Sequence, residues 1–347
     1  MFKSVGIHGY KSIRSQKVSL GRMNILIGGN GAGKSNFLSV FNLVKAVSED
    51  GLVAWVEENG GANRILHLGR KITSGIQLSF GFNQEDRKDL NELFLAFEES
   101  ADRLALKHVG TTYHDEGTIL STSTHSLNRE EGRLFAPLRV YHFVDTGKTS
   151  PIKQNCNVND NRFLRSDGSN LASVLYYISQ KHPKRFAQIE RTIAEIAPFF
   201  AGFDLLPSRI NDSIIRLTWR QKGASDAYLD AEQLSDGTLR MMCLVTLLMQ
   251  PELPAVILID EPELGLHPAA LALFCALVKK AARDSQIIIS TQSIDIVNQF
   301  SPEDIIVCDN DGEETVFKRL DDMDLSAWQN DYSLGELWEK NVFGGNP

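Results

Sequence analysis

The run Gly28-Gly29-Asn30-Gly31-Ala32-Gly33-Lys34-Ser35 has the residue types needed to hold phosphate. Glycines let successive backbone N–H groups turn inward around anionic oxygens. A helix beginning just after the loop adds partial positive charge. Lys34 supplies a full charge for β- and γ-phosphates, and the Ser35 hydroxyl is a ligand for Mg²⁺. Asn30, Gly31, Gly33 and Asn36 complete the expected nucleotide contacts.

Val256-Ile257-Leu258-Ile259-Asp260-Glu261-Pro262 is an apolar strand ending in two acids. Asp260 at the strand tip is placed to hold Mg²⁺ through water. Glu261 is placed to orient and partly deprotonate an attacking water. The plainer reading is a strand that ends and a loop that begins. Leu234-Ser235-Asp236-Gly237-Thr238-Leu239-Arg240 precedes an apolar helix. It reads as an N-cap, with Ser235 or Asp236 capping and Gly237 easing the turn. It also reads as an exposed helix N-terminus able to take an anion through Ser235 and Gly237.

These groups need a frame. Phe2, Val5 and Ile7, then Ile13, Val18 and Leu20, alternate as half-buried strands do. The short strand NILIG enters the glycine loop. A helix with Phe37, Leu38, Phe41 and Val44 on one face leaves it. Strands are expected over 76–82, 103–109 and 117–123, with a short amphipathic helix through Leu90, Leu93, Phe94 and Phe97. Helical stripes at Leu171–Ile178 and Phe186–Ile196 are divided by Pro183. Beyond residue 210 the pattern returns to alternating strands (IIRLTW, VILID, QIIIS, DIIVC) and helices, which implies a largely parallel sheet. A ligand belongs at its carboxyl ends. The division read from the chain is 1–154, an N-terminal lobe with the glycine loop; 155–209, a helical lobe; and 210–347, a C-terminal lobe.

The ordered set GGNGAGKS, LSDGTLR, VILIDEP, ELGLHP and STQS resembles the ABC ATPase heads of the RecF/SMC branch. It is most similar to small bacterial "AAA family" ATPases associated with DNA repair or phage defence. The resemblance implies an α/β fold: a P-loop head with a mixed β-sheet, an antiparallel β subdomain and an inserted helical lobe. It implies ATP and Mg²⁺ as ligands. It also implies a head-to-tail homodimer in which Ser235 and Gly237 bind the γ-phosphate held by the other subunit. Lys34, Glu261 and Gln292 are then the catalytic set, and Ser35 and Asp260 the metal ligands.

Several positions depart from that pattern. Asp236 and Thr238 stand where the commonest signature has Gly and Gln. Gln292 follows QIIIS where many relatives carry His. A glutamine donates a hydrogen bond to phosphate but carries no proton, so slow turnover is expected; the alternative is that Gln292 caps the next helix. Lys11 resembles a basic position that contacts phosphates in relatives, or is a surface lysine. The segment from Val140 to Gln154 holds the residue expected to sense the nucleotide, assigned to Gln154. His142 and Asp145 there are nucleotide, DNA, core or turn residues. His267 falls in the loop expected to cross the dimer interface.

The bulk composition narrows the roles. Net charge is −8, which argues against a broadly basic nucleic-acid surface but leaves a local groove open. The acidic stretch from Asp309 to Asp324 reads as a solvated edge. No apolar run reaches the roughly 20 residues of a membrane span, and the start MFKSVGIHGYKS has no apolar core of a signal peptide. A cytoplasmic location without membrane partners is expected. Cys156, Cys243, Cys275 and Cys308 lack any C-x-x-C spacing and read as reduced thiols. The expected function is an ATPase switch, linked to DNA or to defence, that gates a nuclease or toxin encoded by a neighbouring gene. The alternatives are a RecF-like DNA-repair clamp without effector and an ATP-binding scaffold with little turnover.

Overall fold

The computed structural model describes residues 1–82, 90–115, 118–135, 138–147, 149–323 and 331–345. The chain opens with β1 (Phe2–Tyr10), β2 (Ile13–Ser19) and β3 (Met23–Ile27), followed by α1 (Lys34–Ser48), α2 (Leu52–Glu58) and α3 (Ala62–Ile65). Four long strands follow: β4 (Gly75–Phe82), β5 (Leu90–Ser100), β6 (Arg103–Asp115) and β7 (Thr118–Thr124). Next come α4 (Arg129–Phe135), β8 (Val140–Tyr141), β9 (Cys156–Asn157), α5 (Leu171–Lys181), α6 (Pro183–Ile196), β10 (Phe200–Phe203), β11 (Ile214–Ile215), β12 (Thr218–Gln221) and β13 (Ala224–Asp230). The last part holds α7 (Asp236–Met249), β14 (Val256–Asp260), α8 (Pro268–Ala281), β15 (Gln286–Thr291), α9 (Ile294–Val297), β16 (Ile305–Asn310), β17 (Thr315–Arg319) and α10 (Leu334–Glu339).

Two compact units divide the chain. The first comprises Met1–Val140, Ala255–Leu258 and Gln286–Pro347; the second comprises Tyr141–Pro254 and Ile259–Ser285.

The first unit contains an antiparallel sheet in the order β2-β1-β4-β5-β6-β7. Phe2, Val5 and Ile7 on β1 are buried, and Phe80 and Phe135 pack with Phe2. α1 buries Phe37, Leu38, Val40, Phe41, Leu43 and Val44, each contributing about 1.5–3 kcal/mol on burial. Phe41 closes the cluster against Phe2 and Phe80. A second sheet has the order β17-β16-β3-β15-β14-β8, in which β16, β3 and β15 run parallel and β17 returns antiparallel. β15 is buried at all six of its residues. A parallel strand covered on both faces is expected to be continuously apolar, and the run IIIS fits that rule.

In the second unit α7 packs against α6 and α8. Thr246 lies fully buried in α7, and its hydroxyl donates to Met242 O at 2.7 Å. Small sheets β10-β12-β13 and β9-β11 flank the helices.

Two local expectations change. Leu90–Phe97 is a strand, not a helix. Its apolar run LFLAF fits either period, and pairing with β4 and β6 imposes period two: Leu93, Leu95 and Phe97 are buried while Phe94 and Ala96 are half-buried. IIRLTW is not one strand. Ile214–Ile215 pair with Asn157 and Cys156, whereas Thr218–Gln221 pair with β10 and β13. Hydrogen bonds from Ser208 N to Ile214 O and from Asp204 N to Thr218 O, both 2.9 Å, hold the two halves in separate pairings.

Candidate functional site

In the first unit the glycine loop joins β3 to α1. Two of its glycines are required by close approach as well as by backbone conformation. A Cβ on Gly28 (φ 155°) would lie 2.3 Å from Cys308 O, and one on Gly33 (φ 106°) would lie 2.2 Å from Thr315 Oγ1. β16 and β17 therefore press the loop from one side, while Asn30, Gly31 and Ser35 are exposed. Gly33 is the N-cap of α1 and makes no side-chain cap bond, and the partial positive charge of a helix N-terminus favours an anion there.

Lys34 is buried, and its ammonium donates to Gly28 O at 2.7 Å and Gly29 O at 3.0 Å. The cation is thus held inside the curve of the loop. Asn36 donates to Ser12 Oγ at 2.7 Å, and Thr315 donates to the same oxygen at 2.7 Å. Its amide ties α1 to the turn after β1. Lys11 sits at that turn with φ 46°. Its Nζ donates to Ser39 Oγ on α1 at 3.2 Å, and burial lowers its pKa. Lys11 is thus a half-buried cation against the flank of α1.

Gln292 is brought to the loop by strand register. Thr291 pairs with Ile27, the residue before Gly28, so Gln292 follows β15 beside the loop's entry. The N-cap of α9 is Ser293, whose hydroxyl accepts from Ile296 N. Gln292 does not fill that role.

In the second unit Asp260 is buried at the tip of β14. Glu261 follows with φ 46°, a left-handed conformation that costs an ordinary residue about 1–2 kcal/mol. Strain of this kind persists where surrounding structure enforces it, often at functional positions. Ser235 is the exposed N-cap of α7; its Oγ accepts from Thr238 N at 3.2 Å. Arg240 donates to Val144 O at 2.8 Å and to Leu264 O, binding α7 to the segment before Gln154 and to the loop after Glu261. His267 caps α8 by accepting from Ala269 N at 3.2 Å.

Gln154 is exposed and ends a 3₁₀ turn over Pro151–Lys153. Asp145 Oδ1 accepts from Gly147 N at 3.2 Å, a turn role. Sequence reasoning passed over the neighbour of Gln154. Lys153 is buried, donates to Thr146 O at 2.5 Å and lies 3.7 Å from Asp236 Oδ1. Its partner Asp236 lies far along the chain, so local residue types carried no signal for it.

Cys243, Cys275 and Cys308 are buried free thiols, and burial pushes the Cys275 thiol up to about 12. Among the described residues no group of three or more His, Cys, Asp and Glu could hold a metal ion, and no helix is long and apolar enough to cross a membrane.

A glycine cradle that a Cβ would fill, with an ammonium in its curve, fits a polyphosphate. With the parallel sheet, the antiparallel sheet and the helices of the second unit, it gives the chain the fold of a P-loop head of the ABC and SMC type. The chain belongs to the family described as "AAA domain, putative AbiEii toxin, Type IV TA system", whose model matches residues 23–298. Its fold is similar to that of an SMC head bound to the C-terminal winged-helix domain of ScpA. There the TM-score is 0.59 and the identity 18%, covering 92% of this chain and 98% of that one. It is similar also to an SMC head with an extended coiled coil, bound to the C-terminal domain of ScpA derived from Pyrococcus furiosus. For that structure the TM-score is 0.58 and the identity 16%, covering 95% and 98%. No curated protein matches the chain.

Proposed function

We propose that this chain is an ATP hydrolase that closes as a head-to-tail homodimer around ATP and Mg²⁺ and gates a separately encoded effector. The observation that carries the reading is the exposed start of α7. Ser235, a helix N-cap in one unit, offers an anion site that is separate in sequence and unit from the phosphate loop in the other. In a two-fold dimer the same patches meet reciprocally. Lys34 and Ser35 of one subunit then hold the phosphates that Ser235 and Gly237 of the other complete.

Ser35 and Asp260 are the residues that would hold Mg²⁺, which would supply charge neutralisation to the phosphates. The chain's own groups do the rest. Lys34 leaves the Gly28 and Gly29 carbonyls for phosphate oxygens. Glu261 orients water and takes its proton. Gln292 donates to the phosphoryl group. Catalysis is then positioning and charge stabilisation.

The effector link rests on the family's description, which names a toxin–antitoxin system. The same words support a second reading, in which this chain is itself the toxin of a pair. Inducible expression separates them. The gating reading predicts growth arrest when the adjacent gene is expressed alone and relief when this ATPase accompanies it. Arrest by this chain alone, relieved by its neighbour, supports the second reading and contradicts the first.

A further inference from the structure

We propose that Lys153 is a positioning residue for the shared nucleotide site, because it draws the Asp236 carboxylate away from the incoming γ-phosphate. The inference rests on the head-to-tail reading above. Asp236 is the first residue of α7 and stands beside Ser235. A carboxylate in the first turn favours the helix through the dipole. It also sets a negative charge in the turn that must receive a more negative phosphate. Unscreened, the two would repel.

Lys153 offers the compensating charge. Its Nζ lies 3.7 Å from Asp236 Oδ1, with side-chain exposures of 8% for the lysine and 61% for the aspartate. The lysine is the fixed partner. Its backbone N–H donates to Ser150 O at 3.0 Å, and the Ser150 hydroxyl donates to Asp145 O at 2.6 Å. Ile152 beside it is buried, and Thr146 O accepts a hydrogen bond from the ammonium at 2.5 Å. A buried ammonium on a braced turn has little freedom, so the exposed carboxylate must come to it. The pair keeps the helix benefit of Asp236 while reducing its repulsion toward a ligand at Ser235.

The competing explanation is that Lys153 only satisfies the Thr146 carbonyl. A double-mutant cycle separates the two. All proteins are full-length and carry Glu261→Gln so that closed dimers persist. Closure is read as the ATP concentration giving half-maximal dimer by mass photometry, and ATP affinity of the open subunit by calorimetry.

Lys153→Met and Lys153→Gln should each raise the ATP needed for closure about tenfold, the scale of one uncompensated charge at short range. Affinity of the open subunit should hold, and the defect should shrink as salt rises from about 0.05 to 0.5 M. In an Asp236→Gly background the same Lys153 substitutions should cost less than roughly threefold. Equal cost in both backgrounds, or failure of every Lys153 variant to fold even with Asp236→Gly, overturns the proposal and leaves Lys153 structural. Ser235→Arg in the same assay tests the underlying reading. If it closes like its parent, the shared site itself is wrong. If it blocks closure while the cycle shows no coupling, only the role of Lys153 is wrong.

Discussion

A Cβ placed on Gly237 would stand 2.2 Å from the carbonyl oxygen of Gly265. The start of α7 and the loop after Glu261 therefore meet at backbone contact, with no side chain between them. Gly265 itself has φ 71°, and a Cβ there would lie 2.9 Å from Arg240 Nη1. Within this unit the start of α7 cannot shift without moving the chain that carries Glu261.

Gly237→Ala tests that contact. The backbone oxygen cannot rotate aside, so one element must give, at a cost of about 1–3 kcal/mol for overpacking. The melting temperature should fall and turnover should be lost, while calorimetry should show unchanged ATP affinity for the open subunit. Full turnover in a stable Gly237→Ala protein would separate α7 from the catalytic loop.

Glu261→Gln should preserve the fold and ATP binding and lower steady-state turnover by about 10²–10⁴, the scale of losing a positioned base. Glu261→Gly adds a control. It relieves the left-handed strain of about 1–2 kcal/mol, so its melting temperature should not fall below that of the Gln variant although it too is inactive. Unchanged hydrolysis in Glu261→Gln removes the glutamate from its assigned role.

Gln292→Ala should slow hydrolysis and leave thermal stability nearly unchanged, because Ser293 makes the α9 cap. A cap residue would instead cost about 0.5–2 kcal/mol with the rate intact. One melting curve and one rate on the same variant decide between these results.

The regular parts of this fold were legible in the sequence because one period dominates each of them. β3, α1, α7, β14, α8 and β15 follow from continuous apolar runs or a helical stripe bounded by Gly, Ser or Pro. The strand β5 was not legible, since LFLAF satisfies both periods and only its neighbours in the sheet choose. The break in IIRLTW was hidden for the same reason: two sheets compete for one apolar segment. The glycine loop, the acidic strand end and the capped start of α7 follow from local residue types. Lys153 does not, because its meaning depends on Asp236, far along the chain. Nor does the reason for Gly28 and Gly33, which lies in Cys308 and Thr315 on the hairpin of β16 and β17.

Complementation between two defective subunits tests the shared site most directly. Lys34→Ala should weaken ATP binding by the loss of a charge-assisted contact, about 1.5–3 kcal/mol. Ser235→Arg should bind ATP through its own Lys34 and fail to close. Mixed, the two variants form a heterodimer in which one composite site carries both lesions and the other carries neither. Mass photometry with ATP establishes that the mixed dimer forms, and the ATPase rate is then read on that mixture. The account predicts hydrolysis well above that of either variant alone, from the intact site. A mixed dimer that closes yet hydrolyses no more than its parts, or a Ser235→Arg protein with full turnover as a monomer, would contradict it.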